Sequence, residues 1–249
     1  MTSRTASAAT PTSAPATTTP RPPVSTRTSA CSPATRPSAR ASRTCSNNIS
    51  GFSRSPVYDE LLVAPDTVRT GIIERIHAEI AHHRAGRPAR IRIKANSIVD
   101  EAIIDSLYIA SQEGVPVELL IRGICALRPG VPGLSDTIRV RSVLGRFLGT
   151  AGCSGSRAAA SLKAWIGSAD LMHRNLDRRV EVLVRLPGER NLAAVGELLD
   201  LVFDPQTTAW ELDREGGWRH VRGERDLQSS LVEQQRRRRT PEHAARSTS

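Results

Sequence analysis

The hydrophobic pattern of the chain changes abruptly near Tyr58. Of the first 46 residues, 42 are Thr, Ser, Ala, Pro or Arg, so this segment cannot bury enough apolar surface to offset its conformational entropy. Beyond Tyr58, short apolar runs alternate with segments whose apolar residues recur at helical spacing. We therefore predict a disordered low-complexity tail over residues 1–46 and a folded region over 47–235.

The first half of the folded region reads as alternating strands and helices. The first predicted elements are a strand at Leu61–Val63 and a helix that starts at Asp66 or Thr67 and stops at Gly86. A half-buried strand follows, in which Ile91 and Ile93 alternate with Arg90, Arg92 and Lys94. A helix capped by Ser97 and ending at Gly114 then leads to a central strand at 115–121. A strand, a helix and a strand at this spacing predict a parallel, right-handed βαβ unit.

The second half continues the α/β pattern after a loop rich in Gly and Pro (122–135). The expected elements are a strand or short helix around Ile138, Val140 and Val143, strands at 164–166 and 180–186, a helix at 192–203, and a hairpin whose turn contains Gly216. The pattern as a whole predicts an α/β fold with a mixed sheet and flanking helices. Residues 236–249 are expected to form a basic, solvated tail.

The net charge of +10 looks at first like the signature of a nucleic-acid partner. Residues 1–46 carry six Arg and no acid, and residues 236–249 carry a further +4, which leaves the middle of the chain neutral. A groove for a polynucleotide needs clustered charge on a folded face and aromatic side chains for stacking. Only 3% of the residues are aromatic, so we expect no nucleic-acid partner.

Several other classes of protein are also disfavoured. No apolar run approaches the roughly 20 residues that a membrane span needs, and the N-terminus has no apolar signal segment, although its acid-free, Arg- and Ser-rich composition resembles a transit peptide. The four cysteines form no CxxC pair, which argues against zinc and against a disulfide framework. We expect a cytoplasmic protein without a metal site built from its own residues.

The best candidate for a ligand contact is Arg122, which lies at the predicted carboxyl end of the central strand and precedes Gly123. Ligands of open α/β sheets bind at such ends, and the guanidinium fork suits phosphate oxygens. Weaker candidates are Asn96, Arg128, Arg141, Arg146 and Arg174. Taken by itself, such a pattern favours an ordinary solvated arginine face on a loop over a ligand site.

Other polar residues have structural interpretations that remain open beside the functional ones. Ser168 and Asp170 follow a predicted strand, where they would cap a helix and offer its N-terminus to an anion. Capping also accounts for Asn96 and Asp100, and Cys125 reads as a small buried residue rather than a nucleophile. No GxxxxGK[ST] loop is present, which excludes an ordinary P-loop kinase.

Two long blocks carry a family resemblance. The residues IRIKANSIVDEAIIDSLYIASQEGVPVELLIRGICALRPGVPGLSDTIRVRSVLGRFL (91–148) and AWIGSADLMHRNLDRRVEV (164–182) resemble the C-terminal part of the long bacterial polyphosphate kinases. The resemblance implies a phospholipase D-like fold, a homo-oligomer, and the reversible, magnesium-dependent transfer of the terminal phosphate of ATP to polyphosphate through a phosphohistidine. It also implies that Arg122 contacts the nucleotide phosphates.

The chain departs from this family after Leu148. The family continues with Glu-His-Ser-Arg, whereas Thr150 occupies the histidine position here, and a hydroxyl does not replace an imidazole in proton transfer. A one-base shift makes residues 150–156 compatible with His-Ser-Arg-Val-Phe-Arg-Phe, and the same shift makes part of the N-terminal tail family-like. We therefore predict that residues 1–46 and about 149–161 are out-of-frame translation, and that the domain is disrupted at 149–161.

This hypothesis predicts a polyphosphate kinase fragment without an intact catalytic histidine, because the family's phosphorylated histidine lies upstream of the matching region. The chain by itself is then expected to be inactive. One alternative is a non-catalytic remnant that holds polyphosphate or nucleotide. A phospholipase D-like nuclease or lipase is disfavoured, because none of the six His has a Lys two residues further on.

Overall fold

The computed structural model describes residues 60–144, 152–158 and 161–246, with side chains described at 60–144 and 163–236. The strands are β1 (Leu61–Val63), β2 (Ile91–Ala95), β3 (Val117–Ile121), β4 (Ile138–Ser142), β5 (Gly152–Ala158), β6 (Ser161–Gly167), β7 (Val182–Arg185), β8 (Ala209–Leu212) and β9 (Trp218–Val221). The helices are α1 (Val68–Arg84), α2 (Glu101–Gln112), α3 (His173–Asp177), α4 (Glu189–Phe203) and α5 (Leu227–Arg246). The predicted tail at 1–46 lies outside the described residues.

The described strands form one mixed sheet in the order β1-β7-β6-β5-β2-β3-β4-β8-β9. Strands β2, β3 and β4 are parallel neighbours, and the remaining pairs are antiparallel. The predicted βαβ unit is confirmed, because β2 and β3 pair in parallel register across α2. Strand β3 is buried along its whole length, as a central strand with both faces covered should be.

The main core lies between one face of this sheet and helices α1 and α2. Ile72, Ile76 and Ile80 follow one stripe of α1 and are buried, as their helical spacing predicts. Ile103 and Leu107 of α2 are likewise buried and belong to the same apolar cluster. Helix α2 ends at Gln112, and Gly114, which follows the C-cap residue Glu113, has a φ of +85°, the left-handed conformation that glycine adopts just after helix ends.

The opposite face of the sheet is held by ion pairs, and here the prediction of an outward-facing Arg92 is wrong. The side chain of Arg92 is only 8% exposed, because helix α4 covers it. Its Nε lies 2.8 Å from Oε2 of Glu118 on β3, and its Nη2 pairs with Asp200 on α4. A charge can be buried here because both neighbouring elements supply a carboxylate.

Of the residues predicted to cap α2, Ser97 is wrong and Asp100 is confirmed. Asp100 occupies the N-cap position, and its carboxylate accepts a hydrogen bond from the backbone N–H of Ile103. Ser97 belongs to the preceding loop and serves the site described below. At the start of α1, the hydroxyl of Thr67 does not cap the helix but bonds to the backbone of Val63.

Two segments are more regular than the sequence suggested. Strand β5 continues the sheet between β2 and β6, so the predicted disruption at 149–161 does not break the backbone ladder over 152–158. Backbone hydrogen bonding does not depend on side-chain identity, which explains this tolerance. Helix α5 runs to Arg246, although a solvated tail was expected from residue 236. No helix in the described part is both long and apolar enough to cross a membrane.

The ion pair of Arg92 supplies a stability test. We expect Arg92→Ala to lower the free energy of unfolding by about 3 kcal/mol, because it leaves Glu118 buried without its nearest cation. The matched control is Arg84→Ala, which removes a solvent-screened pair with Glu113 and should lower the free energy of unfolding much less. Urea titrations of both variants check this, and equal losses would contradict the structural role assigned to Arg92.

Candidate functional site

Three loops meet at the edge of the sheet where β2, β3 and β6 end. The backbone N–H of Gly123, after β3, donates to the carbonyl of Asn96, after β2, at 2.7 Å. Ile98 forms parallel bridges both with Cys125 and with Leu171, which follows β6. The register of the strands therefore brings together residues that lie far apart in sequence.

Gly123 is required at this junction by close packing. A Cβ atom at this position would lie 3.1 Å from the carbonyl oxygen of Asn96 and 3.3 Å from Oγ of Ser97. Both contacts are tighter than most Cβ atoms make, so a side chain here would push the two loops apart. The glycine thus positions its neighbour Arg122 against the end of β2.

The two best-placed candidates, Arg122 and Asn96, each bury a polar atom that lacks a partner among the described residues. These atoms are Nη1 of Arg122 and Oδ1 of Asn96. A buried polar group without a hydrogen bond costs about 1–3 kcal/mol, so such atoms mark a place where a ligand or a further group belongs. The guanidinium offers donors for an anion, and the amide oxygen offers an acceptor for a hydroxyl or N–H group.

Two buried carboxylates brace the same edge. Asp170 accepts a hydrogen bond from the backbone N–H of Ser97 at 2.8 Å, which ties the loop after β6 to the loop after β2. Glu181 accepts hydrogen bonds from the hydroxyl of Ser168 and, at 2.9 Å, from the amide of Asn175. The amide oxygen of Asn175 is a third buried atom without a partner in the described part of the chain.

These bonds overturn the expectation that Ser168 and Asp170 cap a helix. Helix α3 starts only at His173, its N-cap position is Met172, and no side chain caps it. The two polar side chains instead turn towards the sheet edge and join its loops. Helix α3 has only five residues and is too short to supply an anion site at its N-terminus, so the prediction of such a site is wrong as well.

The other predicted arginines do not converge on this edge to the same degree. Arg128 and Arg174 are exposed. Arg141 is buried, and its Nη1 donates to the carbonyls of Val202 and Asp204 at 3.1 and 3.0 Å, so it braces β4 against the end of α4. Arg146 and Thr150 lie outside the described residues, and Thr150 precedes the first residue of β5 by two positions.

Cys125 has no sign of nucleophilic activation. Its thiol is partly buried and donates to the carbonyl of Leu127 at 3.4 Å. Burial raises the pKa of the Cys125 thiol, so the reactive thiolate is disfavoured near neutral pH. The residue packs at the junction of the loops, where its chain neighbours form the bridge to Ile98.

A cluster of charges beside the site joins three helices. Nε of Arg69 on α1 lies 2.8 Å from Oδ2 of Asp100, and its Nη1 lies 2.6 Å from Oδ1 of Asp177 on α3. The hydrogen bond from Arg69 lowers the pKa of Asp177 below its usual value. His173 adds a contact of 2.8 Å from its Nε2 to Glu101. Arg69 therefore fixes the loop that carries Asn175 relative to the start of α2.

The described residues do not fit a resident metal ion. Among them, no three His, Cys, Asp or Glu side chains come together in a group that would hold one. The described residues therefore support no catalytic step that involves magnesium. The charged group that they supply at the site is the guanidinium of Arg122.

Sequence reasoning missed the bracing residues Ser97, Asn175 and Glu181. The one available signal was the position of Glu181, an acid between Val180 and Val182 at the start of a strand. A carboxylate in such an apolar setting needs partners, and Ser168 and Asn175 supply them. The identity of those partners was not readable from the chain, because they depend on how β6, α3 and β7 turn back on each other.

The described strands and helices form a mixed α/β domain with loops that meet at one sheet edge, and sequence comparison identifies its family. The profile of the family described as "Polyphosphate kinase C-terminal domain 2" matches residues 61–232. The chain belongs to this family. This confirms the resemblance found from the sequence.

Relatives named polyphosphate kinase extend well beyond the matching region. The protein from Streptomyces coelicolor is 52% identical over 199 residues, which cover 78% of this chain and 27% of the relative. The protein from Mycolicibacterium gilvum is 53% identical over 194 residues, which cover 76% of this chain and 26% of the relative. The chain thus spans about a quarter of the length of these curated relatives.

A solved structure shows the same fold. The crystal structure of polyphosphate kinase from Porphyromonas gingivalis matches with a TM-score of 0.74 at 23% identity, covering 80% of this chain and 31% of that one. The match supports the fold alone, and it confirms the α/β class with a mixed sheet and flanking helices that the sequence predicts.

The charge cluster around Arg69 makes a pH prediction. A carboxylate whose pKa is lowered by folding adds stability above its unfolded pKa, and this stability is lost as the pH falls through the folded pKa. We expect Arg69→Gln to return the pKa of Asp177 towards its ordinary value of 3.8 and to reduce the acid sensitivity of unfolding that this aspartate causes. An NMR titration of the carboxylates measures the shift. An unchanged Asp177 titration would contradict the assigned cause.

Proposed function

We propose that the sheet edge formed by Asn96, Arg122 and Gly123 binds phosphate groups of ATP and of polyphosphate. The observation that supports this most directly is the unpartnered, buried Nη1 of Arg122 at the end of a central parallel strand. Family membership supports the choice of ligand, because the relatives are named polyphosphate kinases.

Arg122 contributes electrostatic binding in this proposal. A guanidinium donates two parallel hydrogen bonds to oxygens of one phosphate, and its charge opposes the negative charge of the ligand. Gly123 keeps the loop after β3 close to the end of β2, and this holds the guanidinium of Arg122 in a fixed position. Asn96 offers its amide oxygen to a hydroxyl of the ligand, and Arg128 and Arg174 extend the positive surface as secondary contacts.

The inherited reaction is a reversible phosphoryl transfer. In the complete reaction, the bond between the terminal phosphorus of ATP and its bridging oxygen breaks, an N–P bond forms on a histidine, and ADP leaves. The terminal oxygen of polyphosphate then attacks the phosphorus and releases the histidine. We propose that the 249-residue chain does not complete this cycle alone. The resemblance places the phosphorylated histidine outside the matching region, and Thr150 stands at the position of the family's other active-site histidine, where a hydroxyl cannot take an imidazole's role.

Out-of-frame translation is our explanation for that threonine. The hypothesis covers residues 1–46 and about 149–161, and it predicts that the other reading frame of the gene is open and kinase-like there. Resequencing the locus tests it directly. A closed or unrelated alternative frame would exclude the hypothesis without affecting the proposed phosphate contact.

Phosphate binding is tested with Arg122→Ala. We expect this variant to weaken binding of ATP and of medium-length polyphosphate roughly thirtyfold, since a charge-assisted contact contributes about 2 kcal/mol. The matched control is Arg214→Ala, an exposed arginine on the β8–β9 turn that pairs only with Glu215 in the described part of the chain. Equilibrium dialysis at fixed ionic strength measures both. Equal losses in the two variants would reject the site.

Turnover is tested separately with radiolabelled ATP and magnesium. We expect neither labelled polymer nor an acid-labile phosphohistidine from the purified chain. Binding without product would favour the second candidate function, a non-catalytic holder of polyphosphate or nucleotide. Product formation would reject inactivity. A homo-oligomer and a cytoplasmic location are further proposals that rest on the family.

A further inference from the structure

Strands β8 and β9 form a hairpin at the far edge of the sheet. The alternation of hydrogen-bonded and non-hydrogen-bonded pairs in this hairpin determines which backbone groups of β9 face outward. Asp213 donates its N–H to the carbonyl of Gly217 at 2.9 Å, next to the turn at Gly216. Hydrogen-bonded and non-hydrogen-bonded pairs alternate along an antiparallel ladder. The pairs Glu211–Arg219 and Ala209–Val221 are therefore the bonded ones, and the backbone N–H and C=O of Trp218 and His220 point away from β8.

These outward groups lie on a free edge. In the described part of the chain, β9 is the last strand of the sheet and pairs only with β8. Its first three residues are exposed, and Trp218 remains 37% exposed in spite of its size. An exposed edge strand is a template onto which another extended segment can pair.

One face beside this edge is aromatic. Residues opposite one another in a ladder share a face, so Trp218 and His220 lie on the same side as Leu212 and Trp210. The rings of Trp210 and His220 lie 4.8 Å apart, centroid to centroid. A strand added to β9 would place every second side chain against this apolar, partly exposed surface.

The other face is positively charged. Arg219 is 72% exposed and shares a single carboxylate, Glu211, with Arg139 and Arg141. A second copy of this chain would set these arginines against their own counterparts, and like charges opposite one another destabilise a sheet.

We propose that β9 is a docking edge for an extended acidic segment of another protein, which pairs with the backbone of Trp218 and His220. Its apolar side chains pack on Trp218 and His220, and its carboxylates face Arg219. In the sheet order, β9 and the strand that precedes Arg122, β3, lie on opposite sides of β4. The proposed docking at β9 therefore does not depend on phosphate binding at Arg122.

The probe is a synthetic peptide of about eight residues that alternates Glu with Val, compared with the same peptide carrying Lys in place of Glu. We expect the Glu peptide, added to the full chain, to slow amide hydrogen exchange at Trp218 and His220 about tenfold, and the Lys peptide to have no effect. His220→Pro removes one outward N–H, which an edge strand tolerates, and should abolish the protection. His220→Ala keeps the N–H and should retain it.

A second variant guards against loss of the hairpin in His220→Pro. Arg219→Gln leaves the backbone unchanged, removes the cation that the peptide carboxylates face, and should weaken binding of the Glu peptide about tenfold. Equal protection by both peptides would reject the acidic partner. Absence of protection, or protection of these amides by concentration-dependent self-association without peptide, would reject the proposal altogether.

Discussion

The parallel pairing of β2 with β3 is the constraint on which the candidate site depends. It sets the end of one strand beside the end of the other, so that Gly123 donates to the carbonyl of Asn96 and Ile98 bridges to Cys125. The same alignment leaves Arg122 with a buried donor that the described residues do not satisfy. A shift of one residue in this register would turn every side chain of the strand to the other face and would dismantle the edge.

The two faces of the sheet are stabilised by different physics. Helices α1 and α2 cover one face with isoleucine and leucine, where burial of apolar area is the driving term. The other face carries Arg92 and Glu118 under α4, where each buried charge is tolerated because a carboxylate or guanidinium meets it. Such pairs are sensitive to the loss of one partner. The face under α4 therefore depends on these specific ion pairs together with a smaller apolar cluster that includes Leu120 and Phe203.

Much of the fold followed from periodicity, and much of the site did not. The βαβ unit, helix α4 and the hairpin around Gly216 were predicted because apolar spacing and glycine position are local signals. The position of Arg122 at a strand end was predictable for the same reason. The cap at Asp100 is a local signal and was predicted. The buried state of Arg92 and the roles of Ser168 and Asp170 were misread, because each depends on a partner from a distant element: Asp200, Glu181 and Ser97.

The sequence by itself determined the class of fold and the family, since these depend on residue types at local spacing. It also singled out Arg122 as the candidate phosphate contact that we propose, because that residue follows an apolar strand. Only the tertiary structure decided which polar side chains form hydrogen bonds between the loops and which keep an atom without a partner at the sheet edge, among the described residues. The physical reason is that hydrogen-bond satisfaction is a property of three-dimensional neighbours, and in this sheet those neighbours come from strands and helices far apart in the chain.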